Sequence, residues 1–304
     1  MAISLVGKVA VVTGAGQGLG RAYASVLGRA GARVIVNDIS EEVAEQAAAG
    51  LRQIGVEARH VAAAVGGAEE ADRIVAEAVR QFGRLDVMVT NAGVLRDRVL
   101  WKMTDEEFDL VIRVHLKGTF TCARAAVVRF REQGDGGRLI LVGSPAGQRG
   151  NFGQTNYAAA KAGIAAMART WAMECAASNV TVNAVIPVAA TDMTKTVPGL
   201  APFAEAAGRG EVIPTWLRRA AAFGTPEDVA GLVAFLASDE AGHITGQCIG
   251  IGGDKLSLWS HPTEIRAAFR DGGWDADAIH DAFGSTVGSP QETYGIPAVD
   301  FGGR

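Results

Sequence analysis

Short β-branched apolar runs alternate with helical stretches from the first residues to about position 252, and this alternation constrains the fold more than any other feature of the chain. Lys8–Thr13 (KVAVVT) has the pattern of a strand buried on both faces. Arg33–Asn37, Leu85–Thr90, Arg138–Val142 and Val180–Ile186 read as further strands, with weaker ones at Val56–Val61 and Gln247–Ile251. Between them lie helical segments. One runs from the first glycine turn to about Ala30, and one is capped by Ser40 with Glu41 and Glu42 in its first turn. Others cover Ala68–Phe82, a long stretch from Thr104 through Arg131 with Glu107 at capping-box spacing, and Gln154–Ser178. Thr225-Pro226-Glu227 opens another, with proline at the first helical position. Repeated β-α units predict an α/β fold, a doubly wound parallel sheet of about seven strands with helices on both faces and right-handed crossovers. Ligands then bind at the carboxyl ends of the strands.

Composition removes several function classes. The net charge of -4 leaves no basic surplus for nucleic acid. Cys122, Cys175 and Cys248 are odd in number and far apart, which fits buried thiols and not a disulfide framework. The five histidines lack zinc-ligand spacing, so no metal is expected. No apolar run reaches membrane-spanning length and no signal peptide is evident, so a cytoplasmic enzyme without a membrane partner is the expectation.

Thr13-Gly14-Ala15-Gly16-Gln17-Gly18-Leu19-Gly20 joins the first strand to the first helix. Glycines there permit a tight turn and close approach of a pyrophosphate, and the helix start offers free N–H groups. A glycine-rich turn alone is weak evidence, but strand, turn and helix occur here in the required order. Asp38 ends the second strand, where a carboxylate accepts hydrogen bonds from both adenosine ribose hydroxyls and repels a 2′-phosphate. Neither Ile39, Ser40 nor Gln17 supplies a compensating positive charge. The expected cofactor is NAD, not NADP.

Tyr157 and Lys161 stand one helical turn apart, and Ser144 precedes the tyrosine by thirteen residues, just past a strand. An ammonium beside a phenol favours the phenolate. Tyr157 is therefore expected to exchange a proton with a substrate oxygen, Lys161 to lower its pKa and hold the nicotinamide ribose, and Ser144 to anchor that oxygen. The incidental reading, an ordinary helical Tyr–Lys pair, does not account for the serine.

These residues carry a family resemblance over residues 1 to about 253. The TGAGQGLG turn, Asn91-Ala92-Gly93, Ser144, Tyr157-Ala158-Ala159-Ala160-Lys161, and Asn183 with Pro187 resemble the classical short-chain dehydrogenases/reductases. The resemblance implies a Rossmann-like domain that binds the cofactor through Gly14, Gln17, Gly18, Leu19, Gly20, Asp38, the Val65 backbone, Asn91, Gly93, Tyr157, Lys161 and Thr191. Arg113–Gly118 (RVHLKG) and Gly150–Tyr157 (GNFGQTNY) are similar to one subgroup, the (3R)-hydroxyacyl-CoA dehydrogenase part of peroxisomal multifunctional enzyme type 2 and its bacterial relatives. This implies NAD-dependent interconversion of a (3R)-hydroxyacyl-CoA and its 3-ketoacyl-CoA. The alternatives are a steroid or other hydrophobic alcohol dehydrogenase and, from a different class, a non-catalytic dinucleotide sensor. The resemblance also implies a homodimer or homotetramer paired through the two long helices. His115 replaces the family's usual asparagine and is expected to serve a proton relay. Ala64 replaces the adenine-facing acid, and Val188 the usual glycine after the proline.

The segment 191–223 is rich in glycine and proline, including Pro198, and is expected to form a substrate lid. Its apolar members Met193, Leu200, Phe203, Val212, Ile213 and Trp216 either line an acyl or steroid channel or pack the lid on the core. Arg96, Arg98 and Lys102 are candidates for CoA phosphates, with Arg218 and Arg219 of the same standing, or are simply solvated. Residues 254–304 read as an extension holding a helix or two and packed on the same domain, not as a second domain.

Overall fold

The computed structural model describes residues 3–196 and 199–297; Pro198 lies outside them. One sheet forms the centre, in the order β3-β2-β1-β4-β5-β6-β7-β8. Its strands are β1 (Val9–Val12), β2 (Arg33–Asp38), β3 (Ala58–Ala62), β4 (Val87–Thr90), β5 (Gly137–Val142), β6 (Val180–Pro187), β7 (Cys248–Gly252) and β8 (Lys255–Trp259). The first seven pair in parallel, as doubly wound β-α units require. β8 is a correction to the seven-strand expectation. It turns back through Gly253 and Asp254 and pairs antiparallel with β7, Cys248 opposite Trp259 and Gly252 opposite Lys255.

Both sheet faces are buried, which is why the strand runs are continuously apolar. Ala10, Val12, Val34, Val36, Val87 and Val89 point to one face, under α1 (Gly18–Arg29), α2 (Glu41–Gln53) and α10 (Pro226–Ala237). Val9, Val11, Ile35, Met88, Leu139 and Leu141 point to the other, under α3 (Ala68–Phe82), α5 (Gly118–Gln133) and α7 (Thr155–Glu174). The long helix expected from Thr104 to Arg131 is three pieces. α4 (Asp105–Val111) carries the capping box of Thr104 and Glu107, Ile112–Lys117 is a π-helix, and α5 follows. The short α6 (Pro145–Arg149) leads from β5 to α7. In the lid region α8 (Ala201–Gly208) and α9 (Thr215–Ala220) enclose a small core of Ala204, Ile213, Leu217 and Phe223.

Beyond β8 the chain changes character. Residues 260–297 hold α11 (Ala276–Phe283), and none of them is buried. Among the described residues no helix is long and apolar enough to cross a membrane, and no His/Cys/Asp/Glu group is placed to hold a metal. The three cysteines are buried free thiols.

Candidate active site

The glycine turn lies at the carboxyl end of β1, and its geometry excludes side chains. Gly14 has φ +60°, and a Cβ there would stand 2.7 Å from Ala92 Cα. A Cβ on Gly20 would collide with the Gly14 carbonyl and the Asn91 amide. Asn91 clasps the turn by donating to Thr13 O (2.9 Å) and Gly14 O (3.0 Å), while the Asn91 and Ala92 N–H groups donate to Thr13 Oγ1. Its side chain is thus committed to the protein, and the Asn-Ala-Gly segment braces the turn. α1 begins at Gly18 with Gln17 as a cap that makes no side-chain bond, and no acid occupies its first turn. A Cβ on Gly18 would meet only the Thr191 methyl, at 3.9 Å, so Thr191 faces the turn across open space. Asp38 Oδ2 accepts from Gly16 N (3.1 Å), which fixes the carboxylate beside the turn. Val65 follows β3 and packs so closely on α5 that a Cβ on Gly118 would stand 2.8 Å from its methyl.

Two strands from β1, β5 delivers Ser144 at the N-cap of α6, where its Oγ accepts from Ala146 N (3.2 Å). α6 lies directly on α7, since a Cβ on Gly147 would stand 2.5 Å from the Lys161 carbonyl carbon. This contact brings Ser144 to Tyr157. The phenol is half-buried and shares a hydrogen bond with Ser144. Lys161 is buried; its Nζ donates to Val142 O (2.6 Å) and sits 5.6 Å from the centre of the Tyr157 ring.

Burial acts on both members of the pair. Burial lifts the Tyr157 phenol above its ordinary value, opposed by the Ser144 hydrogen bond and aided by the Asp97 carboxylate. Burial pushes Lys161 down to about 7. Burial outweighs the other influences on the phenol. Both groups are desolvated, each neutral form is favoured, and Lys161 directs its proton to a carbonyl.

His115 sits in the π-helix, buried and edge-on to the Tyr157 ring, with centroids 5.2 Å apart and planes at 89°. Nε2 lies 3.0 Å from Val94 N and 2.8 Å from Val94 O, accepting from one or donating to the other according to tautomer. Nδ1 has no protein partner among the described residues. Burial, with the Lys161 charge, holds the imidazole neutral by pushing it down to about 3. Gly93 is required here, because its Cβ would overlap His115 Cε1.

Some candidates belong elsewhere. Arg98 donates to Glu107, the capping-box acid of α4 (2.9 Å), and its backbone N–H to Gly153 O (2.7 Å), so it braces two loops. Arg218 grips Asp228 with two bonds (2.8 and 3.0 Å) and Asp254 with a third (2.8 Å), pinning α9 to α10 and to the β7–β8 turn. Of the lid residues, Ile213 is buried, Phe203 and Trp216 meet edge to face with centroids 5.9 Å apart, and Val212 is 91% exposed. A hydrogen-bonded chain that sequence reasoning missed runs near Tyr157, Asn151 donating to Gln154 (2.9 Å) and Gln154 to Asp97 (2.7 Å). No residue pattern marks it, because loops distant in sequence meet there.

Comparison with known proteins agrees with this geometry. A family model described as short chain dehydrogenase matches residues 8–199. The hydroxyacyl-CoA dehydrogenase ChsB1 of Mycobacterium tuberculosis is 41% identical over 284 residues, covering 89% of this chain and 86% of that protein. The 3-oxoacyl-[acyl-carrier-protein] reductase FabG of Thermotoga maritima is 40% identical over 250 residues, covering 82% and 98%. The peroxisomal multifunctional enzyme type 2 of Drosophila melanogaster is 44% identical over 198 residues, 62% of this chain but 32% of that longer protein. The crystal structure of a short chain dehydrogenase from Mycobacterium avium superposes with a TM-score of 0.83 at 32% identity, covering 98% of this chain and all of that one. The eight-stranded sheet, the glycine turn on β1 and relatives matched over nearly their whole length lead to one conclusion: the chain belongs to the short chain dehydrogenase family and is an oxidoreductase acting on a CH–OH group.

Proposed function

We propose that the chain interconverts a (3R)-hydroxyacyl-CoA and its 3-ketoacyl-CoA with NAD as partner. The observation that carries this reading is the convergence of Ser144, Tyr157 and Lys161 at the carboxyl end of the sheet that also presents the glycine turn and Asp38. The residues suit a dinucleotide. Gly14, Gly18 and Gly20 let the backbone approach closely, and Gln17, Gly18 and Leu19 form an uncapped helix start for the pyrophosphate. Asp38 takes the ribose hydroxyls, the Val65 backbone the adenine, and Thr191 the carboxamide. Asn91 and Gly93 hold the floor of the site. The nicotinamide supplies the hydride-accepting carbon when bound.

Tyr157 Oη takes the proton of the substrate hydroxyl in oxidation and returns it to the ketone in reduction. Ser144 Oγ hydrogen-bonds the same substrate oxygen and orients it toward Tyr157. Lys161 Nζ, protonated over part of the neutral range, favours the phenolate when the proton leaves and holds the ribose beside it. His115 sets the tilt of the Tyr157 ring, and its Nδ1 is the atom left to pass a proton onward. Residues 1–253 form the catalytic body with the lid at about 191–223. Phe120, Val128 and Met173, exposed on α5 and α7, fit pairing with a second copy in a homodimer or homotetramer.

The name of ChsB1, a hydroxyacyl-CoA dehydrogenase, supports the CoA thioester, and the carboxylate of Asp38 supports NAD. The similarity to FabG keeps the carrier-protein thioester as the second reading. The experiment is cofactor turnover with (3R)- and (3S)-hydroxyacyl thioesters of CoA and of acyl carrier protein, each with NAD and NADP. Turnover of the (3R)-CoA series with NAD is expected. A preference for the carrier-protein thioester with NADP moves the assignment to the reductase, and turnover of steroid alcohols alone moves it to the hydrophobic alcohol dehydrogenases.

A further inference from the structure

The antiparallel direction of β8 has a consequence for the C-terminal segment. β7 runs toward the carboxyl end of the sheet, so β8 returns the chain to the amino end, where Trp259 lies opposite Cys248. That end is remote from Ser144. Yet by Thr293 the chain is back at the active-site end. Arg149 Nη2 donates to Thr293 Oγ1 (2.8 Å), Arg149 Nε donates to Gly295 O (3.2 Å), and Gly295 N donates to Arg149 O (2.7 Å). Among the described residues, the hydrogen bonds that tie 260–297 to the body of the protein all fall on Arg149. A segment with no buried residue thus spans the height of the sheet and is anchored at one point, and that point is the last residue of the helix that Ser144 caps.

The surroundings of the anchor are the rim of the proposed substrate cleft. Arg149 is followed by the loop 150–154, which hydrogen-bonds to the loop after β4 through Arg98 N to Gly153 O and through Gln154 to Asp97. Tyr157 comes next. Phe152 in this loop is 84% exposed, and Tyr294, between the two anchored residues of the strap, is 93% exposed. Both large aromatic rings stand in water within a few residues of the Arg149 clip, where they are available to cover an apolar ligand. Arg149 itself pairs with neutral acceptors, a hydroxyl and a carbonyl, so its fork serves as a geometric clip.

We infer that residues 290–296, clipped by Arg149, form the outer wall of the substrate cleft and select for substrates long enough to reach it, with Tyr294 and Phe152 covering the distal apolar part. This rests on the acyl thioester reading above. The proton-transfer group holds the oxygen on the reacting carbon, and the strap meets only atoms several bonds further out. The strap therefore acts on the choice between substrates and not on the proton transfer itself.

The test compares kcat/KM for a short and a long (3R)-hydroxyacyl-CoA in the wild type, in Arg149→Ala, in Arg149→Lys and in a chain ending at residue 288. The long-to-short ratio is expected to fall by about tenfold or more in Arg149→Ala and in the truncated chain, through KM, which is the scale of losing a few apolar contacts. Lysine keeps the charge and loses the fork, so Arg149→Lys falls with alanine. Hydrogen exchange in the wild type supplies a measurement that needs no variant: residues 286–297 are expected to gain protection with the long 3-ketoacyl-CoA and not with NAD alone. An unchanged or raised ratio in a folded variant, or no gain in protection, overturns the inference. If the wild type turns over neither thioester, the substrate reading has failed instead, and the two failures are separated.

Discussion

Replacing Gly14 by alanine tests whether the cofactor turn is built on close backbone approach. Two costs add at this position. The residue sits at φ +60°, where a side chain costs roughly 1–2 kcal/mol. The new Cβ would also stand 2.7 Å from Ala92 Cα, a backbone atom. Ala92 cannot retreat easily, because its N–H donates to Thr13 Oγ1 and the neighbouring Asn91 clasps Thr13 and Gly14. Such overpacking costs about 1–3 kcal/mol. Gly134 is the control, since its φ is +77° but a Cβ there meets nothing within 4 Å. Gly134→Ala should lose only the conformational part, about 1–2 kcal/mol. In a chain this long, roughly 2 °C of melting temperature accompanies each kcal/mol. Thermal melts should therefore show a drop of about 2–4 °C for Gly134→Ala and about 4–10 °C for Gly14→Ala. NAD titration should show a Kd raised about tenfold or more for Gly14→Ala alone, the scale of 1.4 kcal/mol lost in binding. Equal melting temperatures, with NAD bound as tightly as by the wild type, would refute the argument.

Lys161 is pushed down to about 7 when folded, below its ordinary 10.5, so between these values the unfolded chain binds the extra proton and this group makes stability rise with pH. Melts of the wild type and Lys161→Met from pH 7 to 9.5 should diverge, the wild type gaining relative to the variant; parallel curves would count against a buried, desolvated amine. His115 is pushed down to about 3, so it penalises the folded state progressively as pH falls below the ordinary value of 6.5. His115→Asn should accordingly lose less stability on acidification than the wild type, measured by urea unfolding at pH 7 and pH 5. Asp38→Ala should weaken NAD and narrow the gap between NAD and NADP, read by titration with both cofactors; an unchanged gap would remove Asp38 from cofactor choice. Arg218→Ala leaves Asp228 and Asp254 without their partner, a loss of about 1–3 kcal/mol for a half-buried cluster. Limited proteolysis should then cut within residues 199–223 sooner, while a lid as resistant as before would mean that α9 is held by its apolar core alone.

The parallel sheet was legible because burial on both faces forces a simple pattern. Val9 to Val12 alternate between two cores, so every position must be apolar, and the run stands out. β8 was missed for the opposite reason. Leu256 and Leu258 point outward and are about two-thirds exposed, at 67% and 68%, while the inward face of Lys255–Trp259 is partly covered only at Ser257 and Trp259, so the run lacks the two-faced apolar pattern of the other strands. The Gly253-Asp254 pair was nevertheless a hairpin signal in plain sight. The π-helix is invisible to periodicity, since Ile112–Lys117 reads as ordinary helix. What it accommodates is a contact between His115 and the Val94 backbone, twenty-one residues earlier in the chain. Ser144, Tyr157 and Lys161 could be picked out by type and spacing, whereas their protonation could not. The fall in the Lys161 pKa and the rise in that of Tyr157 come from burial, which depends on α6 lying against α7 through Gly147. The bond from Arg98 to Glu107 is equally hidden, because Glu107 is placed by the cap of another helix.

If Tyr157 carries the proton, Tyr157→Phe exposes it most directly. Phenylalanine keeps the ring that meets His115 edge-on and removes only the hydroxyl that meets Ser144. Single-turnover NAD reduction with a (3R)-hydroxyacyl-CoA, or with whichever alcohol the wild type accepts, should slow by about 10²–10⁴-fold, the usual worth of a positioned acid or base. NAD should still bind. A variant that keeps wild-type turnover would contradict the account and leave Ser144, Lys161 or His115 to move the proton.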